Sequence, residues 1–234
     1  MKRRTIAEDA MRNAMTDRVY ERLRARIIDL ELEPEASLQI ERLSKEFGVS
    51  PTPIREALNR LSTEGLVEAH AYRGFRVAAL LDDEDLPHLI RAREVIERAG
   101  ASAAASLRNS TILAGLDERV SYMEELVSAA ELNIQAFNAA DASFHRLILE
   151  GSGNPYLLQA FDSLHAHLQI ARHFQGRSIV EAAHSNEEHK RIAEAIQRGE
   201  DFDVEALVTA HLDGVLSRLE VHERHGTDRG LAGA

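Results

Sequence analysis

From Asp82 to the C-terminal residue, apolar side chains recur only at helical spacing, and no stretch shows the alternation of a half-buried strand. More than any single motif, that limits what the chain can become. The helical pattern is broken at "RNST", "GSGNP", "QGRS" and "RGED", each with turn or capping chemistry. These breaks predict helices over 83–107, 113–131, 134–151, 155–175, 179–198 and 203–224. Connections this short make neighbouring helices antiparallel, so the expected architecture is an all-α bundle.

The first 80 residues read differently. A polar segment, residues 1–15, is expected as a flexible arm. In "DRVYERLRARIIDLEL", Val19, Leu23, Ile27 and Leu30 share one helical face, and Pro34 follows the stop. "LQIERLSKEFG" predicts a short second helix with Leu43 and Phe47 on one side and Gly48 as terminator. In "SPTPIREALNRLSTEG", Ser50 is placed to cap and Pro51 to open a third helix. Ile54, Ala57, Leu58 and Leu61 make its apolar stripe, which leaves Thr52, Arg55, Glu56 and Asn59 facing solvent. "LVEAH" and "GFRVAAL" flank "AYRG" as a hairpin with Gly74 near its turn. Three helices and a two-stranded ribbon make a winged helix-turn-helix, which sets its third helix in the DNA major groove and its wing on the minor groove or backbone.

The chain is therefore expected to be mostly α: a winged helix-turn-helix over 16–80, an all-α antiparallel bundle over 81–226, and a frayed tail over 227–234. Charge divides along the same line. Residues 1–80 carry 14 basic against 13 acidic side chains, and residues 81–234 carry 14 against 26. The bundle is too acidic to lie along nucleic acid, so DNA contact must come from local clusters in the first part. No run approaches the roughly 20 apolar residues of a membrane helix, and "MKRRTIAEDAMRNAM" has no apolar stretch behind its basic residues. The expected location is cytoplasmic, with no membrane partner. With no cysteine, disulfides, thiolate metal sites and cysteine nucleophiles are excluded, and a metal must be held by nitrogen and oxygen.

Several predicted helices carry polar residues where an apolar one is expected. In 134–151 the inward stripe is Ile134, Phe137, Asp141, Phe144/His145 and Ile148. His189 interrupts the stripe of 179–198, and His211 that of 203–224. In 83–107 the stripe Leu86, Leu89/Ile90, Arg93, Ile96, Gly100 and Ala103/Ala104 passes through an arginine. Burying an ionised group without a partner costs several kcal/mol. These five residues must meet one another or meet a ligand. Asp141 and His145, four apart, lie on one helix face and can share an ion with His189 and His211. One carboxylate and three neutral imidazoles suit Zn, Ni, Fe or Mn, zinc first, and suit Ca or Mg poorly. An organic carboxylate would fill the open positions while Arg93 grips its other end. The competing reading is a set of core histidines bonded to main-chain carbonyls, with an Asp141–Arg93 ion pair. His165, His167, His173, His184, His222 and His225 show no convergence, and His70 and His88 read as surface residues.

"SPTPIREALNRLSTEGLVEAHAYRGFRV" resembles the winged-helix signature of GntR-family transcriptional regulators, and the helical remainder is similar to the FCD domain of the FadR-type branch. The resemblance runs from about Asp17 to Glu223 and includes "RAREVIE" and "GSGNPYL". It places Asp141, His145, His189 and His211 on the family's metal-ligand positions and Arg93 on the arginine that meets the effector. It also implies a homodimer that binds a palindromic operator, commonly as a repressor, and answers to a small carboxylate metabolite. In the DNA-binding half, Arg55 matches the recognition-helix arginine, Thr52 a phosphate or base contact, and Arg73 with Gly74 the wing tip. Pro51 stands where the family usually has arginine, which removes one expected DNA contact.

The resulting expectation is a ligand-responsive regulator. Arg55 and Asn59 read base edges, and Lys2, Arg3, Arg4 and Arg73 supply phosphate or minor-groove contacts. Two other functions compete. A metalloenzyme could use the same ligands, but no HExxH or comparable arrangement supplies a general base. A DNA-architectural protein would carry the helical half as structure alone.

Overall fold

A computed structural model describes the backbone of residues 2–82, 84–165, 178–199 and 201–230, and the side chains of residues 13–82, 84–165, 178–199 and 203–219. Most of the expected helix beyond Leu164, the side chains of Lys2, Arg3 and Arg4, and those of His167, His173, His222 and His225 lie outside the described residues. The chain divides into two compact units, one ending at Leu80 and one beginning at Leu81.

The first unit contains α1 (Lys2–Ile28), β1 (Ser37–Leu38), α2 (Ile40–Phe47), α3 (Pro51–Thr63), β2 (Val67–His70) and β3 (Gly74–Val77). Val19, Leu23 and Ile27 of α1, Leu43 of α2, Ile54, Ala57, Leu58 and Leu61 of α3, and Leu66, Val67, Phe75 and Val77 in and beside the hairpin are buried, and α3 packs against α1, α2 and β2. Helical backbone starts at Lys2, where an arm was expected; Ala10, Met11 and Arg12 are strong helix formers, and neither Gly nor Pro interrupts the run. Leu30 leaves the expected stripe. The chain turns there at φ 55°, the Leu32 amide reaches back to the Arg26 carbonyl at 3.0 Å, and Leu32 takes the buried position.

The wing is a three-stranded antiparallel sheet, ordered β1-β3-β2, and not the expected two-stranded ribbon. Ser37 and Leu38 pair with Arg76 and Phe75. Leu38, expected in the second helix, is a strand residue whose burial against the hairpin outweighs its helix propensity. Ser50 stands at the N-cap of α3 without a side-chain capping bond, and Pro51 occupies the first turn as expected. Ala71 to Arg73 link β2 to β3, with Tyr72 and Gly74 both at positive φ, 64° and 83°.

The second unit is helical throughout its described residues: α4 (Asp85–Leu107), α5 (Ser110–Val127), α6 (Ile134–Gly151), α7 (Pro155–Leu164), α8 (Ile179–Arg198) and α9 (Asp201–Gly230). No helix among the described residues is long and apolar enough to cross a membrane. α6 and α8 have the expected bounds. α5 begins three residues early because the Asn109 side chain accepts the amides of Thr111 and Ile112, and so caps the helix from within "RNST". His165, in the left-handed region, closes α7. Helical backbone in α9 continues to Gly230, past the expected start of a frayed tail.

α4 packs against α6, α7, α8 and α9, and α5 against α6 and α8. Gly151, at the end of α6, shows how closely. A Cβ there would come within 2.8 Å of Ile112 Cγ2 and 3.2 Å of Ala104 Cβ, and the second of these has no rotamer with which to retreat. Gly151→Ala would gain about 0.5–1 kcal/mol of helix propensity and lose about 1–3 kcal/mol to overpacking. Overpacking wins, and a lowered denaturation midpoint in urea is the expected result.

Candidate functional site

α6, α8 and α9 each turn one imidazole into the core of the second unit. His145 is 1% exposed, His189 0% and His211 1%. Their ligand-competent nitrogens lie within 4.8 Å of one another, and their ring centroids are 4.6 to 5.1 Å apart. Phe144, the residue before His145, packs on the His189 ring at 4.8 Å. Asp141, one turn before His145 on α6, brings Oδ1 to 3.4 Å from Nε2 of His189. The three histidines read from interrupted apolar stripes therefore converge, with the predicted aspartate beside them.

Two carboxylates, one buried and one partly buried, brace the cluster. Oε2 of Glu97, on α4, lies 2.6 Å from Nδ1 of His145, and its other oxygen accepts a hydrogen bond from Nε of Arg93 one turn earlier. Arg93 is 2% exposed and Glu97 0%. On the opposite side Oε2 of Glu188, on α8, lies 2.7 Å from Nδ1 of His211. Both Glu188 oxygens also accept from Arg218, at 3.1 and 3.0 Å. The Asp141–Arg93 ion pair of the competing reading is not the arginine's hydrogen bond; Glu97 receives it.

Burial lowers the His145 imidazole to about 4; the Glu97 carboxylate pulls the other way, and the Arg93 charge reinforces the drop. The ring is neutral near pH 7, the form that ligates metal. Burial alone would raise the Glu188 carboxyl, but hydrogen bonds from His211 and Arg218, with their charges, outweigh it and hold it at about 2.

The donor set fits a divalent transition ion. Nε2 of His211 is buried with no hydrogen-bond partner among the described residues, a state that is expensive unless something takes the lone pair. Three imidazole nitrogens with a nearby carboxylate oxygen suit nitrogen-preferring ions and not calcium or magnesium. Arg93 likewise has a nitrogen, Nη2, buried without a hydrogen bond to any described residue.

Glu97 and Glu188 were missed in the sequence. Glu97 had a signal: a buried Arg93 needs an anion, and position i+4 is on its own face. His184 also lies 3.1 Å from Glu188, but it is 67% exposed. His70 and His88 are exposed, as expected.

In the first unit α3 buries Pro53, Ile54, Ala57, Leu58 and Leu61 and exposes Thr52, Arg55 and Asn59. Arg73 and Gly74 are exposed at the hairpin tip, beside the fully exposed Tyr72. α1 holds α3 from behind. The Arg60 guanidinium sits 3.7 Å from the centre of the Tyr20 ring, and the Tyr20 hydroxyl donates to Glu64 at 2.8 Å. That contact and burial push the phenol up to about 12, burial being the larger cause.

Comparison with known proteins covers both units. Residues 15–77 match the family model for bacterial regulatory proteins of the gntR family, and residues 88–214 match the FCD domain. The galactonate operon transcriptional repressor of Escherichia coli (strain K12) is 30% identical over 216 residues, 80% of this chain and 89% of that protein. The HTH-type transcriptional regulator LutR of Bacillus subtilis (strain 168) is 28% identical, over 79% of this chain and 92% of its own length. Among solved structures, E. coli McbR/YncC superposes with a TM-score of 0.74 at 18% identity, over 89% of this chain and 98% of that one, a likeness of fold.

Proposed function

The chain belongs to the GntR family of bacterial regulatory proteins and carries an FCD domain, a DNA-binding transcriptional regulator and not an enzyme, and we propose that it is a repressor that senses a small carboxylate through a metal-containing pocket. The core carries this reading: where a purely structural bundle would bury apolar side chains, α4, α6, α8 and α9 bury an arginine and three imidazoles. His145, His189, His211 and Asp141 hold the metal, zinc being the first candidate, then nickel, manganese or iron. A divalent ion, when bound, supplies Lewis-acid attraction for a carboxylate oxygen. Arg93 Nη2 supplies the second grip, as a charge-assisted hydrogen bond to the same acid. A relative named for the galactonate operon supports a sugar acid as one member of the effector class, and its name, a repressor's, supports repression.

On DNA, α3 lies in the major groove. Arg55 and Asn59 read base edges, Thr52 contacts phosphate or base, and Arg73 with Gly74 presents the wing. Two copies of the chain bind a palindromic operator as a homodimer. The effector acts only through a difference in its affinity for the DNA-competent and DNA-released states.

The test is a thermal-shift screen of sugar acids, dicarboxylates and amino acids on metal-loaded and chelator-stripped protein, followed by gel shifts on the operator. A compound that stabilises only loaded protein and alters operator binding is the expected result. Metal-free purified protein with no hit in either state would sink the sensor, and a hit that leaves the gel shift unchanged would favour an architectural role. Arg55→Ala is expected to weaken specific operator binding by about 1–3 kcal/mol. Unchanged affinity would remove α3 from the groove.

A further inference from the structure

We infer that Glu97 and Glu188 are positioning residues of the metal centre: each fixes the ring proton of one histidine on Nδ1 and thereby commits Nε2 to the ion. The inference rests on the metal reading above and goes past the ligands to what orients them.

An ionised carboxylate only accepts hydrogen bonds. Glu97 faces Nε of Arg93 and Nδ1 of His145 with one oxygen each, and Glu188 faces Arg218 with both oxygens and Nδ1 of His211 with one of them. An arginine on each carboxylate keeps it charged, so the imidazole must be the donor. A neutral imidazole with its proton on Nδ1 has its lone pair on Nε2. In His211 that Nε2 is the buried atom with no hydrogen-bond partner among the described residues. The two carboxylates come from different helices, α4 and α8, and each holds a histidine on another helix, α6 and α9. Each brace is thus a cross-helix bond that sets the ring plane as well as the proton. Metal-ligating histidines commonly bond a carboxylate through the second nitrogen, and losing that partner costs roughly 10–100-fold in metal affinity.

Glutamine is the informative replacement. At position 97 it leaves one oxygen for two donors, so either Arg93 Nε–H or His145 Nδ1–H faces an amide NH2. At 188 the same conflict arises between Arg218 and His211. Exposed Glu187, whose ion pair among the described residues is with Arg191 at 3.7 Å, is the control for loss of one negative charge from the helix of Glu188.

Stripped full-length protein, wild type and the variants Glu97→Gln, Glu188→Gln and Glu187→Gln, would be titrated with cobalt(II), read by its ligand-field bands, and with zinc(II) in competition. Histidine 15N shifts of the metal-free proteins would report the tautomers. Expected are Nδ1–H tautomers for His145 and His211 in wild type, loss of that signature at the affected ring in each site variant, and about 10–100-fold weaker cobalt binding with altered bands. Glu187→Gln is expected to match wild type. Should Glu97→Gln not fold, judged by its metal-free circular dichroism, the partly exposed Glu188→Gln decides the matter through His211. Wild-type protein that takes up no cobalt overturns the metal reading and this inference together. Folded site variants with wild-type affinity, bands and tautomers overturn the inference alone.

Discussion

Arg93→Met is expected to lower the unfolding free energy of the helical unit by about 3–5 kcal/mol. The reason is the carboxylate left behind more than the guanidinium removed. Glu97 is 0% exposed; without Arg93 its charge loses its guanidinium partner in a core that burial has already made hostile to charge. The double replacement Arg93→Met with Glu97→Leu separates the two effects. It removes both charges, and in metal-free protein it should recover most of the loss, since exchanging a buried ion pair for apolar side chains is often neutral or stabilising. Urea denaturation at one fixed protein concentration, followed by circular dichroism, measures both. A single replacement that costs less than about 1 kcal/mol would mean that Glu97 is not the buried anion the geometry describes.

The same pair explains where the sequence was legible and where it was not. Asp141, His145, His189 and His211 were found because each interrupts a periodic apolar stripe, and a polar residue on a buried face must be reconciled with desolvation by some partner. The helices that carry His145 and His189 were legible to the residue because Asn133 and Ser178 cap them. Glu97 was not found because positions 96 and 97 both continue a stripe through Arg93, and hydrophobicity alone favours Ile96. Charge balance would have chosen Glu97, four residues on. Glu188 had no such signal. It stands one residue before His189, about a quarter turn away on the helix, and reads as solvent face until Arg218 and His211 of α9 come across to it. In the first unit the alternation of β2 and β3 was visible, but the two-residue β1 was too short to show a period, so Leu38 was assigned by its helical neighbours.

Zinc at about a thousand times its dissociation constant is expected to stabilise the protein by about 4 kcal/mol, because the ion binds the folded site and not the unfolded chain. His189→Ala should abolish that gain. Acid should erode it, with a sign that the buried groups determine. The His145 imidazole falls from 6.5 in the unfolded chain to about 4 in the folded one, so between those values the unfolded chain holds a proton that the folded chain does not. Stability of the metal-free protein is therefore fully present above pH 6.5 and declines as pH drops toward 4, by on the order of 3 kcal/mol from this one ring. Glu188, lowered from 4.5 to about 2, adds a loss of the same sign below pH 4.5. Bound metal excludes the proton from His145 and must be displaced before the ring can charge, so the loaded protein should hold its melting temperature to lower pH than the stripped protein. Melting curves of both forms at intervals from pH 7.5 to 4 check this directly. A metal-free protein whose stability is flat or rises on acidification through that window would show that His145 is not the buried neutral base of this centre, and the claim that the core is poised to take an ion at neutral pH would fall with it.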